Sequence, residues 1–255
     1  MRKYILHTEI TGKGPTIVLL HGFLASSHYF SKLRKNLSVT HTVVAIDLLG
    51  FGLSPKPSVI HSYDVHVEAI KNTLDHLNVH APFTLLGHSM GALIAARYAL
   101  RYPANVAALQ LFNPPMFVSN YEATQAFQAT GIHYRAILYS RVRRLLWSGL
   151  KALPRRHSTK RSPINFTDSV RASYNARESS YQTIILATEF LDDITKIHIP
   201  TLLVTGRHDR PMYQKNIHDI QLPNTISYHL VDTGHHTPVK APGLTESLIR
   251  SHLLQ

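Results

Sequence analysis

The pentapeptide Gly87-His88-Ser89-Met90-Gly91 lies between two apolar stretches of different length. Residues 83–86 form a short stretch that predicts a buried strand, whereas residues 92–101 are rich in alanine and leucine and predict a helix. Glycine on both sides of the serine predicts a turn too tight for a side chain at either glycine position. The helix that follows would point the amides of its N-terminus at Ser89. A serine in this setting is a candidate nucleophile.

Other apolar runs of strand length alternate with helical patterns along most of the chain. Continuous apolar runs such as residues 16–20 are typical of central parallel strands that are covered on both faces. The alternation predicts the α/β class, with a mostly parallel central sheet and helices on both faces. The predicted strands span residues 4–10, 16–20, 42–46, 83–86, 106–112, 200–206 and 226–231, and the predicted core helices span residues 26–37, 63–77, 92–101 and 244–254.

The alternation breaks after the strand at residues 106–112, where a long stretch carries helical patterns only. The 255 residues are enough for one large core with an inserted subdomain. We therefore expect residues 1–113 and 196–255 to form the core, and residues 114–195 to form a helical insertion. Within the insertion, the predicted helices span residues 122–130, 132–150, 167–174 and 180–191.

The formal net charge of +12 has a local source. Residues 141–161 contain eight lysines and arginines and no acidic residue. Such a stretch is expected to be a solvated face, and the alternatives are a peripheral contact with an anionic membrane or attraction of acidic substrates. Nucleic acid is not an expected partner, because no recognition motif accompanies the charge.

The composition excludes several kinds of chemistry and of targeting. The absence of cysteine rules out disulfides, thiol catalysis and cysteine-ligated metals. No apolar run approaches the roughly 20 residues of a membrane span, and no signal peptide is recognisable, so we expect a cytoplasmic protein. His61, His66 and Glu68 lie close together in the sequence, but their spacing does not match a zinc motif, and we expect exposed polar side chains.

Five motifs occur in a fixed order along the chain. They are His21-Gly22-Phe23, the loop that begins at Asp47, the pentapeptide around Ser89, the loop Gly206-Arg207-His208-Asp209 and the dipeptide Gly234-His235. In these motifs the sequence resembles the capped α/β-hydrolase superfamily, over about two-thirds of the chain. The insertion at residues 114–195 matches only by its location, which is where many members carry a cap, or lid, over the substrate pocket.

The resemblance implies an α/β-hydrolase fold with a helical cap and a catalytic triad of Ser89, Asp209 and His235. It also implies a sharp turn that holds Ser89 at a strained backbone angle. It further implies an oxyanion hole made by the backbone N–H groups of Phe23 and Met90. Such a site needs neither a cofactor nor a metal.

Other residues compete for the catalytic roles. Asp232 is close in sequence to His235, but it lies at the end of a predicted strand and is expected to point elsewhere. Asn113 occupies the place where some members carry their acid, and an amide cannot fill that role. His21 and Asp47 are expected to fix loops, and His88 is expected to be a packing residue.

Among the reactions of this superfamily, we expect hydrolysis of carboxylic esters, with a small to medium apolar acyl or aromatic ester as the substrate. Ser89 argues against haloalkane dehalogenases and epoxide hydrolases, which use an aspartate there. Carbon–carbon hydrolases, perhydrolases and non-catalytic ligand-binding relatives remain alternatives. The first of these lacks two expected marks, an asparagine soon after Gly22 and a tryptophan directly after His235. Apolar candidates for the pocket are Phe117, Tyr121, Phe127, Ile132 and Trp147.

Overall fold

The computed structural model describes residues 3–79, 82–128 and 166–254, which form a seven-stranded sheet flanked by helices. The strands stand in the order β1-β3-β2-β4-β5-β6-β7. Strand β1 pairs antiparallel with β3, and every other neighbouring pair in the sheet is parallel. The strands are β1 (Thr8–Thr11), β2 (Thr16–Leu20), β3 (Thr42–Ile46), β4 (Phe83–His88), β5 (Val106–Phe112), β6 (Thr201–Gly206) and β7 (Ile226–Val231). This architecture confirms the predicted fold class.

Helices cover both faces of the sheet because the central strands are apolar on both faces. Ile17 and Leu19 of β2 pack into a cluster that includes Leu33 and Ile249 from helices on one face. Val18 and Leu20 point to the opposite face and pack with residues of the helices there. The helices of the core are α1 (Ser31–Leu37), α2 (Tyr63–His76), α3 (Met90–Arg101), then α8 (Pro211–His218), α9 (Thr237–Lys240) and α10 (Pro242–Leu253).

The helical stretch after β5 packs against the core in its described parts. Its helices are α4 (Asn120–Gln128), α5 (Phe166–Arg171), α6 (Tyr174–Ser180) and α7 (Phe190–Thr195), with a π-helical turn at Tyr181–Ile185. The predicted helix at residues 132–150 and the basic stretch at residues 141–161 lie outside the described residues. The division of the chain at residues 114 and 195 stays a prediction. None of the described helices combines the length and the apolar composition that crossing a membrane requires.

Strand β1 is shorter than the prediction of residues 4–10. The backbone N–H of Leu6 donates to Thr73 Oγ1 at 2.9 Å, and that of His7 donates to Ser54 Oγ at 2.9 Å. These amides bond to side chains instead of a neighbouring strand, so the ladder with β3 begins only at Thr8.

The prediction that His61 and His66 are exposed is wrong. Both side chains are fully buried, because α6 and the turn after it cover them. His66 Nε2 lies 3.3 Å from Ser180 Oγ, and His61 Nδ1 lies 3.3 Å from Ser179 Oγ. The two imidazole centroids are 5.8 Å apart. Within the described residues, no cluster of three or more histidines and carboxylates could hold a metal ion.

Candidate active site

Ser89 lies in the tight turn between β4 and α3, with φ 54° and ψ −123°. A Cβ atom on Gly87 would stand 2.3 Å from the carbonyl oxygen of Gly91, and one on Gly91 would stand 2.3 Å from that of Leu20. Both distances are far below van der Waals contact, so the close approach of strand, turn and helix requires glycine at both positions. The serine is held in the sparsely populated region that its sequence context predicted.

Three side chains from distant parts of the chain form a continuous hydrogen-bonded line. His235 Nε2 lies 2.9 Å from Ser89 Oγ, and His235 Nδ1 lies 2.8 Å from Asp209 Oδ2. Ser89 follows β4, Asp209 follows β6 and His235 follows β7, so the carboxyl ends of parallel strands bring them to one edge of the sheet. The geometry allows His235 to accept the Ser89 proton while Asp209 accepts the N–H on the other side of the ring.

Asp209 is held as a carboxylate although its side chain is only 4% exposed. Burial raises its pKa, but the hydrogen bond and charge of His235, the Arg210 amide and Asn113 together outweigh burial, and the net shift is downward. The backbone N–H of Arg210 donates to Asp209 Oδ1 at 2.8 Å. An ionised acid is the form that can stabilise a positively charged His235.

Asn113 is a residue of this site whose role the sequence did not indicate. Its Nδ2 donates to Asp209 Oδ2 and to the Gly234 carbonyl, both at 3.2 Å, so it joins the acid loop to the histidine loop. Its backbone has φ 50°, which asparagine tolerates better than most residues do. The available signal was its position at the end of β5, next to β6.

The loop after β2 lies against the serine. A Cβ atom on Gly22 would stand 3.0 Å from Ser89 Cβ, which places the peptide that leads into Phe23 beside the reacting centre. Met90 is the first residue of α3. The oxyanion hole of the Phe23 and Met90 N–H groups stays a prediction. His21 holds the loop: Nδ1 lies 2.7 Å from Gly22 O, and Nε2 accepts the Leu48 N–H at 3.0 Å.

Two aspartates outside the hydrogen-bonded line have other partners, as predicted. Asp47 accepts backbone N–H groups from Ser27 at 2.6 Å and from Leu53 at 2.8 Å, and so fixes the loop after β3. Asp232 Oδ1 lies 2.7 Å from His208 Nε2 at the surface, where both side chains are mostly exposed.

The side chains of His88, Tyr29 and His236 form a second hydrogen-bonded cluster next to His235. His88 Nε2 lies 2.7 Å from the His235 carbonyl oxygen, and the Tyr29 hydroxyl lies 3.1 Å from His88 Nε2 and 3.2 Å from His236 Nδ1. A carbonyl only accepts, so His88 Nε2 carries a proton and the Tyr29 O–H donates to His236. Burial, followed by the proximity of His235, lowers the pKa of His236 to about 4. At neutral pH these side chains are uncharged, because burial lowers the pKa of His88 and His236 and raises the pKa of Tyr29.

The hydrogen-bonded line opens into a cavity of about 300 Å³ with mostly apolar walls. Of the five apolar pocket candidates, Phe127 lines it, Phe117 packs behind it against Tyr213, and Tyr121 is 75% exposed. Ile132 and Trp147 lie outside the described residues. The lining residues are Gly22, Phe23, Leu24, Ala25, Tyr29, His88, Ser89, Pro115, Phe127, Ile185, Asp209, Arg210, Tyr213, His235 and His236.

Comparison with known proteins gives the same fold. The uncharacterized hydrolase YugF of Bacillus subtilis (strain 168) is 28% identical over 255 residues, which cover 94% of this chain and 90% of YugF. The esterase EaEST of Exiguobacterium antarcticum superposes with a TM-score of 0.77 at 21% identity, with 100% of both chains covered. A hydrolase from Pseudomonas aeruginosa PA01 superposes with a TM-score of 0.75 at 18% identity, covering 97% of this chain and 94% of that one.

A family profile decides membership independently of these pairwise similarities. The profile described as alpha/beta hydrolase fold matches residues 15–242, from the start of β2 into α10. The matched range includes every member of the hydrogen-bonded line and both loops that approach Ser89. The chain therefore belongs to the alpha/beta-hydrolase-fold family and is a hydrolase.

Proposed function

We propose that this protein is a serine hydrolase that cleaves carboxylic esters through an acyl-enzyme intermediate. The observation that carries the proposal is the line from Asp209 through His235 to Ser89 Oγ at the wall of an apolar cavity. A serine hydroxyl is a weak nucleophile unless a neighbouring base takes its proton, and here the base and its orienting acid are both in hydrogen-bonding distance.

The proposed reaction has two halves. His235 Nε2 takes the proton from Ser89 Oγ as the oxygen attacks the ester carbonyl, and the N–H groups of Phe23 and Met90 stabilise the oxyanion. His235 then gives the proton to the leaving alkoxide, which departs as the alcohol and leaves Ser89 acylated. In the second half, His235 deprotonates a water that attacks the acyl group, and the free acid leaves. Asp209 stays ionised throughout and stabilises the imidazolium.

The cavity supports a small to medium ester. Its volume of about 300 Å³ is at the lower end of the range for small-molecule sites. Apolar walls favour an acyl chain or an aromatic ring. We further propose that residues 114–195 act as a cap, since Phe127 of α4 and Ile185 of the π-helical turn both line the cavity.

The test is hydrolysis of p-nitrophenyl esters from acetate to palmitate by wild type and by Ser89→Ala. We expect a preference for short to medium chains and a loss in kcat of roughly 10⁴- to 10⁶-fold in the variant. Ser251→Ala, which alters an exposed serine of α10, is the matched control and should keep wild-type rates. Absence of turnover on every ester by folded wild type would refute ester hydrolysis and favour the carbon–carbon hydrolase or ligand-binding alternatives.

A further inference from the structure

One charged side chain at the cavity is not used by the proposed mechanism. Arg210 follows Asp209 directly, precedes α8 and lines the cavity together with Ser89 and His235. Its Nη1 donates to the Ala126 carbonyl at 2.6 Å, and its guanidinium carbon lies 5.2 Å from the centroid of the Phe127 ring. These two contacts orient the guanidinium against α4 at the cavity wall.

Among the described residues, no carboxylate oxygen lies within 4.0 Å of a guanidinium nitrogen of Arg210. Three other arginines differ in this respect, because Arg34 pairs with Glu9, Arg101 with Asp64 and Arg250 with Glu246. Residues 129–165, which lie outside the described part, contain no Asp or Glu and therefore supply no acidic side chain.

The apolar walls of the cavity favour the binding of an anion at Arg210. A charge beside apolar walls is incompletely hydrated, and a ligand anion would restore the interactions that water provides elsewhere. Only one guanidinium nitrogen has a described hydrogen-bond acceptor, the Ala126 carbonyl. The planar fork of arginine matches the two oxygens of a carboxylate, and charge-assisted bonds of this kind are about twice as strong as neutral ones.

We propose that Arg210 binds a free carboxylate of the substrate, so that the preferred esters carry a second, ionised acid group in the acyl or the alcohol part. This inference rests on the proposed ester hydrolysis and specifies its substrate class. The formal net charge of +12 adds a long-range attraction for the same anions. The two effects are separable, because salt screens the long-range attraction strongly and a contact inside the cavity much less.

The experiment compares esters of matched size that differ in charge. One pair places the carboxylate on the acyl side (p-nitrophenyl hydrogen glutarate against p-nitrophenyl hexanoate). The other pair places it on the alcohol side (4-acetoxybutanoate against pentyl acetate). We expect wild type to prefer the anionic member of one pair by roughly 10-fold or more in kcat/KM. Arg210→Gln should lower kcat/KM for that anionic ester by about 30-fold, mainly through KM, and change the neutral ester less than about 3-fold.

Two further variants separate the contact from general charge and from folding. Arg207→Gln removes the same unit of net charge three residues earlier, from an exposed side chain that does not line the cavity, and should keep the wild-type preference. Arg210→Lys retains the charge without the planar fork and should retain part of the preference. Thermal unfolding of each variant checks that the fold is intact.

A binding measurement keeps the inference independent of turnover. Calorimetric titration of Ser89→Ala with monomethyl glutarate and with methyl hexanoate should show tighter binding of monomethyl glutarate, which is the anion. Adding Arg210→Gln to the Ser89→Ala variant should abolish this preference. Equal losses for neutral and anionic esters in Arg210→Gln, or equal effects of Arg207→Gln and Arg210→Gln, would overturn the inference while ester hydrolysis stands. If no ester is hydrolysed, the proposed function fails, and anion binding that depends on Arg210 still decides for or against the carboxylate site.

Discussion

Two groups of histidines in this molecule have opposite surroundings. At the cavity, His235 has an ionised carboxylate on one ring nitrogen and a serine hydroxyl on the other. Beneath α6, His61 and His66 are fully buried, and the described polar partners of their rings are serine hydroxyls and, for His61, the backbone of Val59. The same side chain therefore has a carboxylate partner in one place and only uncharged described partners in the other.

The difference shows what makes a histidine available as a base. Burial, followed by the proximity of His61 and His21, lowers the pKa of His66 to about 3, so it cannot carry a proton near neutral pH. At the cavity, Asp209 supplies the negative charge that a protonated imidazole needs. In a chain with 18 histidines, the presence of a carboxylate partner and of a hydroxyl to deprotonate distinguishes the candidate base.

The largest effect is expected from removing the negative charge of Asp209, which is the partner that His61 and His66 lack among the described residues. Asp209→Asn should lower kcat by roughly 10³- to 10⁴-fold with little change in fold, because the amide neither stabilises the imidazolium nor holds the correct tautomer. Steady-state kinetics on the best p-nitrophenyl ester measures the loss. Asp232→Asn, an exposed aspartate that pairs with His208, serves as the control and should stay near wild type. A loss below tenfold in Asp209→Asn would contradict the assignment of the acid.

A smaller effect is expected from the residue that joins the acid and histidine loops. Asn113→Gly accommodates the backbone angle of φ 50° but removes the amide that bonds to Asp209 and Gly234, and it should lower kcat by about 10- to 100-fold. Asn113→Ala also strains the backbone and should lower the melting temperature further. If Asn113→Gly has wild-type kcat, the amide does not position the acid.

The buried pair is tested by stability rather than by rate. In the folded protein His66 has a pKa of about 3 and is neutral, whereas in the unfolded chain it takes up a proton below about pH 6.5. The free energy of unfolding is therefore highest above pH 6.5, as far as His66 contributes, and it falls as the pH decreases. At pH 5 the loss from this one residue is about 2 kcal/mol. Urea unfolding at pH 7.5 and pH 5 should therefore show a smaller pH dependence for His66→Gln.

His198→Gln, at an exposed position, provides the control for that measurement and should keep the wild-type pH dependence. His61 contributes in the same direction, since burial also lowers its pKa. If the free energy of unfolding changes equally between pH 7.5 and pH 5 in wild type and in His66→Gln, then His66 is not a neutral buried group.

The smallest effect concerns the side chains behind His235. Tyr29→Phe keeps the ring that stacks on His88 but removes the hydroxyl between His88 and His236. We expect kcat to fall by about 3- to 10-fold, because His88 still bonds to the His235 carbonyl and holds the loop. A loss as large as that of Asp209→Asn would place Tyr29 in the chemistry itself and would change the proposed mechanism.

Much of the fold was readable from local patterns. The bounds of β2, β3, β5 and β7 match the predicted strands. The first three are mostly apolar runs of strand length, whereas in β7 apolar and aromatic residues alternate with Ser227 and His229. The strained turn at Ser89 could also be predicted, because residues 87–91, which carry the resemblance, are contiguous in the chain. The α/β class and the motifs that led to Ser89, Asp209 and His235 follow from such short-range information.

Contacts between residues far apart in the chain decided the rest. The late start of β1 depends on Thr73 and Ser54, the burial of His61 and His66 depends on α6, and the place of Arg210 depends on α4. A local sequence pattern records the period and the turns of its own segment, but it does not record which distant segment will cover it. The sequence by itself therefore determined the sheet, the strained serine and the order of the motifs. Only the tertiary structure decided which side chains are buried, paired or left charged at the cavity.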